Sequence, residues 1–299
     1  MVMVFVRKIK DYYVLGHSIR KGNKIIQKTK YLGKLPPKEK LEQLKKDFLK
    51  EIAGKKYKYL SEKDAIDIEK RKEDYKSEIK KLSTLEKKKN FENFMIRYTY
   101  DSSKLSGVDV TLRQTYLILK DGIMPKNFKN LKIVKELENH EKGVVAITKY
   151  KGKLDLKFIK KIHKILFSGV DDEIAGKLRS ELKRNVKIGG TSYVPPKWDK
   201  VDKELDIFLK WYYSESRKLH PIELAALIHL KLISIQPFAD GNSRLSRLLM
   251  NWILWKKKYP LIDIKAEDLE NYYDVLDLYQ IKHKENPFIN YIKKNFMGS

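Results

Sequence analysis

The chain has 299 residues, of which 42% are hydrophobic and none is cysteine. The missing cysteine excludes a disulfide framework, a thiolate metal site and a thiol nucleophile. With 65 Lys and Arg against 39 Asp and Glu, the net charge of +26 favours an acidic partner or, equally, the charged surfaces of a heat-adapted (thermophile) proteome. No run of about 18 apolar residues occurs, so we expect no membrane segment and a cytoplasmic protein.

The first 36 residues predict a small basic β-module. Lys21-Gly22-Asn23 suits a hairpin turn between two of its strands. Up to residue 40 the chain has 11 Lys and Arg but only 2 Asp and Glu. Three segments are rich in β-branched and aromatic side chains, as strands of a β-meander are: residues 2–9, 12–19 and 24–31.

Two helical regions follow the β-module. Residues 37–90 are Lys-rich with apolar residues at helical spacing, which predicts two helices with a break near Ala53-Gly54. Residues 91–297 are more apolar, with helical patterns interrupted by Gly and Pro. The fold class predicted is therefore mainly α.

Residues 220–255 are the most informative segment. A nearly all-apolar helix precedes Pro237, a short polar turn follows, and a second apolar helix begins near Arg244. Such a turn directs unpaired backbone N–H groups of the second helix at one point, which suits an anion. Arg244 and Arg247 would lie on one face beside it, and Asp240 suits a magnesium ion that bridges to phosphate. These residues alone indicate a nucleoside triphosphate with Mg²⁺; the alternative is an ordinary turn beside surface arginines.

Residues 236–247, Gln-Pro-Phe-Ala-Asp-Gly-Asn-Ser-Arg-Leu-Ser-Arg, resemble the Fic family signature His-Pro-Phe-x-Asp/Glu-Gly-Asn-Gly-Arg-x-x-Arg. Residues 175–196 resemble the family's β-hairpin flap, and residues 92–115 resemble the segment that contains its inhibitory helix. The similarity covers roughly residues 91–296. It implies a Fic-type helical core with a flap, and transfer of AMP from ATP to a hydroxyl side chain of a target protein.

The resemblance also implies a role for each matching residue. Asp240 would hold Mg²⁺, and Arg244 would meet the phosphate tail. The predicted catalytic positions are Gln236, Asn242 and Arg244, and the nucleotide-binding positions are Gly241, Asn242, Ser243, Arg244 and Arg247. The flap residues that would pair with an extended target segment are Val186, Ile188, Gly189, Gly190 and Tyr193.

One departure from the signature concerns the chemistry. The family's first residue is a histidine that removes the proton from the incoming hydroxyl, whereas this chain has Gln236, whose amide cannot accept a proton near neutral pH. Loss of a general base typically costs about 10²- to 10⁴-fold in rate. His229, two helical turns earlier, is expected to pack in the core, and His220 is expected to cap a helix or lie at the surface.

The second departure concerns the family's inhibitory glutamate. The corresponding segment starts at Ser102 and ends at Gly107, with Ser106 at the glutamate position, so we expect Arg247 to be unrestrained. Joint loss of the base and the restraint indicates drift toward a binding role.

Three functions remain open on the sequence alone. The first is an adenylyltransferase that uses ATP and Mg²⁺ and is impaired by Gln236, acting on an unknown protein with a Ser, Thr or Tyr hydroxyl. The second is a non-catalytic nucleotide-binding regulator. The third is a protein that associates with nucleic acid through its basic residues 1–90, with the Fic-like core as a sensor. The oligomeric state is open, a homodimer included.

Overall fold

The computed structural model describes residues 4–21, 24–53, 57–126, 128 and 130–298. The chain divides into two compact units, Met1–Lys58 and Tyr59–Ser299. This boundary falls within the predicted Lys-rich segment of residues 37–90, between its first and second helices. The mainly helical fold class is confirmed.

The first unit contains the predicted β-meander and one helix. Its strands are β1 (Phe5–Ile9), β2 (Tyr12–Lys21) and β3 (Lys24–Gly33), which pair antiparallel in that order and are followed by α1 (Lys38–Ala53). Phe5 pairs with Gly16, where a Cβ would lie 2.3 Å from the exposed Phe5 ring, so any side chain there would require the ring to move. Residues 2 and 3 of the predicted first strand, the turn residues Gly22 and Asn23, and Gly54 lie outside the described residues.

The second unit consists of helices connected by loops and three short helical turns. The turns are Leu117–Asp121, Trp198–Lys200 and Ala266–Asp268. The helices are α2 (Glu62–Lys81), α3 (Thr84–Lys104), α4 (Leu112–Tyr116), α5 (Leu131–Lys149), α6 (Leu156–Phe167), α7 (Val201–Glu215), α8 (Pro221–Ile235), α9 (Asn242–Lys256), α10 (Leu269–Gln280) and α11 (Asn286–Met297). None of the helices in the described ranges is long and apolar enough to span a bilayer.

Helices α8 and α9 form the centre of the second unit. Twelve of the 15 residues of α8 are buried, because its sequence is apolar on nearly every face and α7, α9, α10 and α11 all pack against it. Helix α5 packs against both α6 and α9. This arrangement fixes the end of α8 and the start of α9, between which the predicted anion-binding turn lies.

The start of α8 is fixed by a buried capping box. His220 Nδ1 accepts from the Ile222 N–H, so the expectation that His220 caps a helix is confirmed, although the side chain is buried. Glu223 accepts from the backbone N–H groups of His220, Tyr59 and Leu60. The carboxylate thereby attaches the segment before α2 to the central helix.

Candidate active site

The loop between α8 and α9 has two residues in the left-handed backbone region. Gln236 ends α8 with φ of 50°, and Gly241 precedes α9 with φ of 74°. A Cβ on Gly241 would lie 2.2 Å from the ring of Phe167, so both the dihedral angle and the space require glycine. The loop therefore passes close to an aromatic surface.

Asn242 holds this loop in shape. Its side-chain oxygen accepts from the Phe238 N–H at 2.9 Å, and its amide nitrogen donates to the Phe238 carbonyl at 2.8 Å. Both polar atoms of the amide are thus used inside the loop. The side chain predicted to be catalytic therefore holds the loop together in this structure, and its catalytic role stays a prediction.

The start of α9 is an uncapped helix N-terminus beside a cleft of about 540 Å³. The first backbone bond runs from the Leu245 N–H to the Gly241 carbonyl, so the N–H groups of Asn242, Ser243 and Arg244 have no acceptor in the helix. Other predicted site residues that line the cleft are Gln236, Asp240, Gly241, Ser106, Val186, Ile188, Gly189 and Gly190. A larger cleft of about 760 Å³, lined partly by α2, α3 and α11, contains none of these residues.

Arg244 is nearly buried and already bonded to a carboxylate. Its Nη1 donates to Glu136 Oε2 at 2.8 Å, and its Nη2 lies 3.8 Å from Asp240 Oδ2. The guanidinium carbon is 5.1 Å from the centroid of the Phe167 ring. Glu136 is on α5, 108 residues before Arg244, and no local sequence pattern indicates this pairing.

Arg247 is fully buried, and the expectation that it is unrestrained is wrong. Its Nε donates to the Ser102 hydroxyl and its Nη2 to the Ser102 carbonyl and the Ser106 hydroxyl. Its Nη1 donates to the hydroxyls of Ser243 and Tyr272. All five N–H donors are therefore used. The acceptors are hydroxyl and carbonyl oxygens, which are neutral, and no described carboxylate pairs with Arg247. Ser106 restrains the arginine by hydrogen bonding in place of charge.

His163, which the sequence patterns did not single out, contacts the loop at Asp240 and Phe238. The Gly176 N–H donates to its Nδ1 at 3.0 Å, which leaves Nε2 to donate to the Asp240 carbonyl at 3.0 Å. The ring stacks on Phe238 with centroids 3.7 Å apart. Burial lowers the pKa of His163 to about 4; the bond to Asp240 opposes this effect and the Arg244 charge adds to it.

The flap segment differs from the predicted β-hairpin. Residues 184–197 turn at Gly189 and Gly190, but in the part of the chain that is described only the N-terminal strands form a sheet. Side chains anchor the flap instead: Thr191 donates to Asp277 at 2.7 Å, and the Tyr193 hydroxyl donates to the Ser234 carbonyl at 2.8 Å. Pro195 and Pro196 lack N–H donors for a ladder, which explains part of the difference. Tyr193 does not line the cleft, whereas Val186 to Thr191 do.

Arg179 connects the flap to the end of α8. Its Nε donates to the Gln236 carbonyl, and its Nη2 donates to the carbonyls of Ile235 and Pro196. The terminal carbonyls of α8 are thus satisfied by a buried guanidinium. Gln236 and the flap are held in a fixed relation.

No histidine of the described chain lines the cleft next to Gln236. His229 is buried, as expected, with its Nε2 bonded to the Tyr272 hydroxyl at 3.0 Å and its ring stacked on Phe288. Burial lowers the pKa of His229 well below its usual value, and the Arg247 charge adds to that effect. His229 is therefore neither placed nor titrated to replace a general base at position 236.

Asp240 is the one signature carboxylate available to a cation. Its side chain is 69% exposed; Oδ1 accepts from the Gly241 N–H, and Oδ2 faces Arg244. Over the described ranges, no group of three or more His, Asp or Glu side chains could hold a metal ion. The donor set fits Mg²⁺ bound by one carboxylate together with phosphate oxygens, and it does not fit a closed protein cage.

Comparison with known proteins bears on this geometry. A profile of the Fic/DOC family matches residues 153–254, which include the loop, α8 and most of α9. Proteins described as protein adenylyltransferase Fic are similar: that of Nematostella vectensis is 31% identical over 216 residues, covering 71% of this chain and 49% of that protein. The protein from Drosophila melanogaster is 32% identical over 199 residues, covering 66% and 39%. The chain belongs to the Fic/DOC family.

The solved structures agree with the fold of this Fic/DOC protein. A Fic domain containing signaling protein from Bacteroides thetaiotaomicron has a TM-score of 0.69 at 28% identity, covering 78% of this chain and 93% of that one. Fic-1 from C. elegans has a TM-score of 0.67 at 24% identity, covering 79% and 68%. The chain spans about half or less of the length of the curated relatives it matches.

Proposed function

We propose that this Fic/DOC protein binds ATP with Mg²⁺ and transfers AMP to the Ser, Thr or Tyr hydroxyl of a target protein, at a rate limited by Gln236. One observation supports it most: the uncapped start of α9 opens into the same cleft as the flap and Gln236. The relatives described as protein adenylyltransferases favour this reaction class.

The loop and the flap would each bind a different part of the substrates. Backbone N–H groups of Asn242, Ser243 and Arg244 would bind the α- and β-phosphates at the positive end of α9. Mg²⁺ held by Asp240 would neutralise phosphate charge. The flap would align an extended target segment by strand addition, so that its hydroxyl lies beside Gln236.

Removal of the proton from the target hydroxyl is the step at which the reaction would fail, because residue 236 is glutamine. Its amide can orient the target hydroxyl but cannot take the proton. The αL backbone at this position suits histidine, since histidine is enriched at positive φ among non-glycine residues. Replacement by histidine should therefore supply the base without disturbing the loop.

The test is labelling with α-labelled ATP, Mg²⁺ and a lysate. We expect Gln236→His to label itself or a target about 10²-fold or more above the original chain. Gln236→Asn is the matched control, because asparagine also tolerates αL backbone but provides no base. Equal labelling by all three proteins would remove residue 236 from proton transfer.

Nucleotide binding is tested separately from transfer. Asp240→Ala should abolish the Mg²⁺ dependence of ATP affinity measured by calorimetry, while Asp171→Ala, outside the cleft, should preserve it. Unchanged dependence in Asp240→Ala would take Asp240 out of the site. Binding by the original chain, with no labelling even by Gln236→His, would favour the non-catalytic regulator.

A second candidate function concerns the first unit. Tyr31 is 69% exposed and lies 5.0 Å from the ring of Tyr12, on a sheet whose unit has 17 Lys and Arg against 5 Asp and Glu. Exposed rings among cations are typical of surfaces on which bases stack. We propose that this unit associates with single-stranded nucleic acid.

Tyr31→Ala in the full chain tests the second function. We expect a loss of about 1–3 kcal/mol in binding to a single-stranded oligonucleotide, and binding by the original chain that weakens as salt rises. Tyr116→Ala, an exposed tyrosine of the other unit, is the control. Equal affinity in both variants would exclude stacking on Tyr31.

A further inference from the structure

Two carboxylates compete for one guanidinium at the start of α9. Arg244 has a 2.8 Å hydrogen bond to Glu136 and a longer separation, 3.8 Å, from Asp240. Asp240 lies four residues before Arg244 in the chain, so a small movement of the arginine side chain would close that gap. What decides between the two partners is therefore the strength of the bond to Glu136.

The surroundings favour Glu136 over Asp240. The side chain of Glu136 is 11% exposed, whereas that of Asp240 is 69% exposed. A charge-assisted hydrogen bond away from water is stronger than one between solvated groups. Glu136 is also on α5, whose packing against α9 fixes the distance between the two helices.

The ring of Phe167 restricts the guanidinium from a third direction. It lies against Arg244 and also contacts the position of Gly241. With Glu136 on one edge and Phe167 beside it, the Arg244 side chain has a defined position. The gap that remains lies between Arg244 Nη2 and Asp240 Oδ2.

We propose that Glu136 is a positioning residue that holds Arg244 away from Asp240, so that Asp240 keeps an oxygen free for the Mg²⁺ of the bound nucleotide. Without Glu136, Asp240 is the carboxylate next to Arg244, and the uncompensated charge of a buried arginine that loses its partner favours movement toward that carboxylate. An Arg244–Asp240 ion pair would then occupy the oxygen that a cation needs. This inference rests on the proposed nucleotide function for its consequence, but the side-chain geometry stands without it.

The first test is the crystal structure of Glu136→Gln without ligand. The amide keeps the size of the side chain and removes its charge. We expect Arg244 Nη2 to approach Asp240 Oδ2 to about 3 Å, the usual length of a charge-assisted bond. An Arg244 that stays in place, with the gap to Asp240 unchanged, would overturn the proposal whatever nucleotide the protein binds.

The second test measures how much Mg²⁺ increases ATP affinity. We expect this increase to shrink about 10-fold in Glu136→Gln, the scale at which residues behind a metal ligand act. In an Arg244→Gln background, Glu136→Gln should change the Mg²⁺-dependent increase in ATP affinity little, because no guanidinium remains to pair with Asp240. Equal losses in both backgrounds would assign the effect to charge alone and overturn the positioning role.

Glu138→Gln is the matched control. It removes the same charge from the same helix, but Glu138 pairs with Lys135 and Lys142 instead of Arg244. If Glu138→Gln reduced the Mg²⁺-dependent increase in ATP affinity as much as Glu136→Gln does, the proposal would also be overturned. If the original chain bound no ATP, the proposed function would fail, and the crystal structure would still decide the role of Glu136.

Discussion

Gly241 joins the signature loop to α9 at the point where the backbone touches Phe167. Its positive φ disfavours any side chain, and a Cβ at this position would lie only 2.2 Å from the Phe167 ring. The two effects can be separated, because Gly107 has a similar φ of 80° and nothing within 4 Å of the place where a Cβ would lie. The chain thus offers its own reference for backbone strain without crowding.

We expect Gly241→Ala to lower the free energy of unfolding by roughly 2–4 kcal/mol, and Gly107→Ala by roughly 1 kcal/mol. The difference comes from displacement of Phe167, which also lies against Arg244. Chemical denaturation measures both values. Equal losses would show that Phe167 moves aside without cost.

His163 gives the loop a dependence on pH. In the folded chain its pKa is about 4, below the usual 6.5, so between these values the unfolded chain binds a proton that the folded chain does not. Its contribution to stability is therefore complete above pH 6.5 and decreases as the pH falls toward 4. Protonation would also break the bond from the Gly176 N–H.

We expect the free energy of unfolding to fall by roughly 1–3 kcal/mol more in the original chain than in His163→Gln between pH 7 and pH 4.5. Denaturant titrations across this range measure the two slopes. Parallel slopes would mean that His163 titrates alike in the folded and unfolded chains.

At the scale of elements, the flap is held by hydrogen bonds at both of its ends, including one that Asn185 Oδ1 accepts from the Trp198 N–H. Thr191 and Tyr193 bond to α10 and α8, while Val186 to Gly190 have no strand partner in the described chain. An extended segment with unpaired backbone groups is prepared to accept another strand. The anchors, rather than a ladder, set its position over the cleft.

Thr191→Val keeps the shape of the side chain and removes both its bond to Asp277 and the bond that its hydroxyl accepts from the Tyr193 N–H. We expect amide hydrogen exchange in residues 186–193 to accelerate about tenfold, with the free energy of unfolding reduced by only about 1 kcal/mol. Thr148→Val is the control, since the Thr148 hydroxyl bonds to the Val145 carbonyl within α5. Unchanged exchange in the flap would show that other contacts anchor it.

The contrast between α8 and Glu136 shows what the sequence could predict. The all-apolar pattern of α8, the stop at Pro237 and the signature loop are local, and each is predicted from a few adjacent residues. The Glu136–Arg244 pair, the Ser102 and Ser106 bonds to Arg247, and the His163 support join residues 77 to 145 positions apart. Such pairings depend on how helices pack, and no periodicity or spacing reports them.

At the scale of the molecule, the charge is shared unequally between the two units. The 58 residues of the first unit have a net charge of +12, against +14 for the 241 residues of the second. Every residue assigned to the nucleotide site belongs to the second unit. The excess charge of the first unit therefore has no assigned part in the proposed nucleotide site.

We expect a chain of residues 57–299 to fold with a cooperative transition and to bind ATP and Mg²⁺ within about threefold of the full chain. The chain begins at residue 57 so that the N–H groups of Tyr59 and Leu60 still meet Glu223. Calorimetry of both chains gives the comparison. A larger loss of affinity would show that the first unit contributes to the site.

The left-handed backbone at Gln236 has a genetic consequence. Histidine and glutamine codons differ only in their third base, and both side chains are unbranched at Cβ and meet the same φ of 50°. A single point mutation can thus interconvert the two residues, and the backbone dihedral at this position suits both. If residue 236 has the proposed role, one base change is enough to gain or lose the proton acceptor.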